Sequence, residues 1–203
     1  MAEIDPYVPP SQVGLAEPER VVGDGLRNPR ALAIWTIGLL VLALLVDFAT
    51  HLWATLAWSP QAEDLAGLIS LPVHIAYFVV FLCWTYRVLW NAHRMSSELM
   101  TVSPGWGVGS YFVPIVNFWI PVKALLQASR VCGTSQGLVL MRWIGGFAVV
   151  GLYIGYVILF FDEQEFGMSL ADHAVVFSDV IFVVLEILII LGLTRSQQSL
   201  AKV

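Results

Sequence analysis

The chain has 203 residues, 58% of them hydrophobic and only 12% charged, with a net charge of −5. A mean hydropathy of +0.79 excludes an ordinary soluble domain of this size, whose composition is far more polar. The acidic balance argues against a nucleic-acid partner, which would call for a basic face.

The chain opens with a polar stretch, residues 1–30, that holds five of the ten prolines and no apolar periodicity. It reads as a disordered cytoplasmic tail. Four apolar runs follow, at about 31–56, 66–90, 139–161 and 174–193. Each reaches the ~20 residues that a helix rising ~1.5 Å per residue needs to cross a ~30 Å hydrocarbon core. The first begins too late and is too long for a signal-peptide core, so it reads as an uncleaved span.

If all four cross, every lysine and arginine falls on one side. The opposite turns, around Glu63–Asp64 and Asp162–Asp172, carry carboxylates and no basic residue. Basic residues near span ends stay on the cytoplasmic side, so both termini, including the short tail 195–203, are expected there. Interfacial aromatics agree: Trp53 and Trp58 end the first run, and Trp84, Tyr86 and Trp90 end the second. Cys83 and Cys132 form no disulfide or metal pattern.

Between the second and third runs lies SPGWGVGSYFVPIVNFWIPVKALLQ, residues 103–127. It is apolar and aromatic, yet Pro104, Pro114 and Pro121 would each break a spanning helix. Both its flanks are basic, so a full crossing would also spoil the charge pattern. A re-entrant or interfacial element on the cytoplasmic side is expected, since broken backbone at membrane depth must be covered by protein or water. Asn117 is expected to satisfy freed backbone groups there.

Ionisable residues inside the spans are costly, about 2.5–3.5 kcal/mol each on insertion scales. Asp47 and His51 share a face of the first span, His74 lies early in the second, and Asp179 and Glu186 lie in the last. Counting from the outer ends places Asp47, His74 and Asp179 at similar depth. Such a layer suits a transition metal through His51 and His74, a proton or ion relay, or a His–Asp network that fixes packing. The packing network is the reading taken, with no metal or cofactor. Glu186 needs a partner in apolar surroundings, and Arg87 is the expected one. Gly151 and Gly155 form a small-xxx-small pair that lets another helix approach.

The pattern Trp84-x-x-Arg87-x-x-x-Asn91, followed by Pro104, Gly105, Trp106, Gly109, Phe112, Pro114, Asn117, Trp119 and Pro121, resembles the bacterial membrane family called domain of unknown function DUF4328. The chain departs from that pattern at Ile120, where an arginine often stands. The resemblance implies an integral membrane location and a bacterial source, and it implies no activity.

The resulting expectation is an all-α polytopic protein of the bacterial cytoplasmic membrane: four spans and one broken segment. Its expected role is non-enzymatic, a scaffold or accessory subunit contacting lipid and packing on other membrane proteins, or on itself, through Gly151 and Gly155. The alternative is a small proton- or ion-coupled transporter using Asp47, His74, Asp179 and Glu186. A metal- or haem-binding redox component comes third.

Overall fold

The computed structural model describes residues 25–57, 60–159 and 168–201. Among them every regular element is helical: α1 (Arg30–Ala57), α2 (Pro60–Met95), α3 (Pro104–Gly109), α4 (Ile120–Cys132), α5 (Gln136–Leu159) and α6 (Met168–Leu200). Residues 1–24, most of the expected tail, lie outside the described residues, as do Trp58 and the turn at 160–167.

Two stretches, Arg30–Trp53 and Leu65–Met95, are long and apolar enough to cross a membrane, with mean hydropathies of 2.4 and 2.1. Ile34, Leu45, Phe48, Leu68 and Val79 point outward from them. So large an apolar exterior suits lipid and would make a soluble protein associate.

The proline–glycine segment is broken, and its breaks have visible causes. Ser103 caps α3 by accepting the Trp106 N–H at 3.3 Å, with proline in the first turn. Two short 3₁₀ turns, Ser110–Phe112 and Val116–Phe118, then carry the chain through a bend of 117° between its two helical halves. The next helix, α4, stops at Gly133, whose φ of 67° is left-handed, while the Thr134 N–H returns to the Ser129 carbonyl at 2.8 Å. The Trp143 indole donates to the Phe118 carbonyl at 2.9 Å, tying the bend to α5. Asn117 does not take the expected role. Its backbone N–H bonds the Val113 carbonyl at 2.8 Å, and its side-chain amide makes no hydrogen bond among the described residues.

The core gathers where α2 ends. Trp84, Val88, Leu89 and Ala92 of α2 pack with Ala124, Ala128 and Val131 of α4 and with Ile190 and Leu193 of α6. Here α3 approaches α2 closely. A Cβ on Gly107 would stand 2.4 Å from Leu89 Cδ1 and 3.4 Å from Ala124 Cβ.

Both segments expected to be tails are partly ordered. Asn91, fully buried, accepts the Arg27 N–H at 2.9 Å and donates to the Arg27 carbonyl at 2.7 Å, so its amide pairs with the backbone ahead of α1. A buried amide left without partners would cost about 1–3 kcal/mol, which is reason enough for residues 25–29 to dock. At the other end α6 continues through Leu200. Gln197 is buried, accepting from Asn91 Nδ2 at 2.8 Å and donating to the Val88 carbonyl at 2.9 Å. The end of α6 is therefore part of the packed core.

Candidate functional site

The bundle brings together four of the five ionisable residues singled out above. Asp47 of α1, His74 of α2, and Asp179 and Glu186 of α6 all line one cavity of about 220 Å³. Helical spacing explains each contribution. Asp179 and Glu186 are seven apart, and His74 and Tyr77 three apart, so each pair shares a face. His51, one turn beyond Asp47, does not line the cavity.

Two pairs organise the wall. His74 Nε2 lies 3.2 Å from Asp47 Oδ2, and His74 Nδ1 lies 3.1 Å from the Ser70 carbonyl. A carbonyl only accepts, so Nδ1 carries a hydrogen. A further proton at the Nε2–Oδ2 contact, on the imidazole or on the carboxyl group, makes the pair neutral. That proton can change sides without altering the local charge.

The second pair corrects an expectation. Arg142 of α5, not Arg87, holds Glu186: Nε and Nη2 donate to Glu186 Oε2 at 3.3 and 3.2 Å. Tyr77 donates its hydroxyl hydrogen to Glu186 Oε1. Both carboxylate oxygens are thereby engaged, as a buried carboxylate requires. Arg87 instead donates to the Asn28 carbonyl at 3.2 Å. Partner choice follows helix neighbours: α5 and α6 pack side by side, and the Arg142 guanidinium also lies over the Phe182 ring, 5.0 Å from its centroid.

Asp179 completes the lining. It is exposed to the cavity side of α6, makes no hydrogen bond among the described residues, and lies within electrostatic reach of Asp47, Arg142 and His74. Asp179 is the one carboxylate of the lining without a hydrogen bond or ion pair among the described residues.

Sequence reasoning missed Arg142 and Tyr77. Both had a signal. Arg142 lies inside the third apolar run and so belongs with the costly intramembrane charges. Tyr77 shares the His74 face at i, i+3.

For the metal alternative, no three His, Cys, Asp or Glu side chains converge in a metal-holding group among the described residues. Both nitrogens of His74 are engaged, by Asp47 and by the Ser70 carbonyl.

On the other side of Tyr77, Arg142 and Glu186 lies a second chamber of about 240 Å³, walled by rings that include Phe78, Phe81, Trp84, Tyr111 and Trp143. The three bonded residues line both spaces and divide them.

These features define a class: a protein all-helical over its described residues, with helices able to span a membrane and a half-open charged cleft beside an aromatic one. A sequence profile for the family described as Domain of unknown function (DUF4328) matches residues 54–198, well over half the chain. The protein belongs to that family. No curated protein and no solved structure matches the chain. Two residues of the sequence pattern quoted above carry structural duties here: Trp84 is buried and donates to Thr194 Oγ1 at 3.1 Å, and Asn91 joins α2, α6 and the segment ahead of α1.

Proposed function

We propose that the protein is a non-enzymatic, four-span protein of the bacterial cytoplasmic membrane that binds and passes protons, or a small cation, through the cavity between α1, α2, α5 and α6. One observation carries the reading: the Asp47–His74 pair and Asp179, a carboxylate with no bonded partner among the described residues, face the same space. Such a set releases and accepts a proton at small electrostatic cost, which a purely structural network would not need.

The topology has support from helix length. At ~1.5 Å per residue, the 24 residues of α5 and the 33 of α6 each exceed a hydrocarbon core. The bend of 117° supports a re-entrant 103–127, which leaves both termini cytoplasmic. A cysteine placed at Glu63 should then react with an impermeant maleimide from outside, and one at Ser199 should not.

Flux is the functional test. Proteoliposomes holding a pH-reporting dye, driven by a potassium diffusion potential, should acidify with the wild-type protein and not with Asp179→Asn. Equal acidification by both, with Glu186→Gln also active, would end the proposal.

A scaffold reading keeps one observation of its own. Nothing lies within 4 Å of where a Cβ would stand on Gly151 or Gly155, so this face of α5 is open to another helix. Gly151→Leu should release a partner, or a second copy, in mild-detergent pull-downs. A solitary monomer in native membranes would count against the scaffold.

A further inference from the structure

A separate cleft, of about 420 Å³, opens beside the C-terminal part of α2 and gathers cations without a counter-charge. Arg87 and Trp90 line it, and with Arg94 they fall on one helical stripe. Arg27 joins them because Asn91 fixes its backbone, and its side chain lies over Trp90 with the guanidinium 4.6 Å from the ring centroid. Arg94 places a second guanidinium 5.0 Å from the same ring. Arg87 gives one N–H to the Asn28 carbonyl at 3.2 Å, and its other donors have no partner among the described residues. None of the three arginines pairs with a carboxylate there: the ion pairs among the described residues are Asp47–His74 and Arg142–Glu186. Like charges held together repel, and a bound anion relieves that.

The rest of the cleft says which anion fits. Its lining runs along α2 from Trp90 back to Leu82, about 12 Å at ~1.5 Å per residue. Leu32 of α1 and Val108 of α3 flank it, so the cationic end leads into an apolar trough. Tyr86 and Trp90 are rings of the kind that sit at headgroup level when a helix crosses a bilayer. The arginines then meet the phosphates, and Leu82 meets the acyl region. We propose that this cleft binds one anionic phospholipid, with its phosphate held between Arg27 and Arg87 and an acyl chain lying along Leu32, Leu82 and Val108. Guanidinium donors match phosphate oxygens in geometry as well as charge.

The inference rests on the membrane-spanning reading of α1 and α2 and is independent of proton passage. Native mass spectrometry of the full chain, released from micelles holding equal phosphatidylglycerol and phosphatidylcholine of the same acyl chains, counts the lipid retained. The wild type should keep the anionic lipid at least about fivefold more often, the worth of one arginine beside an anionic headgroup. Arg27→Gln should lower that ratio severalfold and should fold, because the Asn91 bonds go to its backbone. Adding Arg87→Gln should bring the ratio near one. Arg195→Gln, an exposed cation of α6 outside the cleft, should leave it unchanged. Equal retention of the two lipids by the wild type would overturn the site alone, as would an equal loss in Arg195→Gln, which would mean diffuse attraction. Displacement of the lipid by an equal concentration of inorganic phosphate would also overturn it and leave a free-anion site. Retention of neither lipid would overturn it together with the membrane reading.

Discussion

Arg142→Met removes both hydrogen bonds to Glu186 Oε2 while keeping most of the side-chain length, and it leaves a buried carboxylate supported by Tyr77 alone. Breaking one partner of a buried ion pair costs about 3–5 kcal/mol. The Arg142 side chain retains 33% exposure and that of Glu186 11%, so solvent screening and protonation of the stranded carboxyl lower the expected loss to about 2–3 kcal/mol. At roughly 2–4 °C per kcal/mol for a chain of this size, the melting temperature in mild detergent should fall by about 4–12 °C. Adding Glu186→Gln to Arg142→Met should recover part of that loss, because the stranded charge is gone. Arg87→Met removes one contact to the Asn28 carbonyl and should cost about 1 kcal/mol or less. The reasoning fails if Arg142→Met melts like wild type, if the double variant is no more stable than Arg142→Met, or if Arg87→Met proves the more damaging single change.

Gly107→Ala should cost about 1–3 kcal/mol by overpacking, because its methyl would stand 2.4 Å from Leu89 Cδ1 in a filled core; Leu89→Ala in the same chain should return part of this in thermal melts. Asn91→Leu strands Gln197 Oε1 and the Arg27 backbone, at about 1–3 kcal/mol for each buried group left unpaired. Hydrogen exchange should show faster exchange at residues 26–33 in that variant, and unchanged protection there would refute the docking role. Tyr111→Phe should leave the melting temperature unchanged or raise it, since the oxygen it removes has no partner; a fall of several degrees would mean that the hydroxyl is bonded.

Much of the helical plan was legible in the residues. Apolar run length is a local property, so α1 and α2 appear close to where the runs at 31–56 and 66–90 placed them. Proline chemistry is equally local, and the break at 103–127 is where Pro104, Pro114 and Pro121 require it. The ionisable positions Asp47, His74, Asp179 and Glu186 were also visible, because charge in an apolar run is conspicuous in one dimension.

What the residues alone did not determine was who meets whom. Glu186 could be paired with any cytoplasmic-side arginine until helix order and rotation were known, and the packing of α5 against α6 selected Arg142 over Arg87. The same rotation brought Asp47 to His74 and left His51 outside the cavity. Gly107, not Gly105 or Gly109, is the glycine that close approach requires, and only the distance to Leu89 distinguishes it. Residues 25–29 and the end of α6 looked like polar tails because their partners, Asn91 and Val88, lie more than sixty residues away. Hydrophobicity and backbone chemistry act within a helical turn, and so are written in the sequence. Pairing depends on the relative rotation of helices distant in the chain, which only the packed bundle sets.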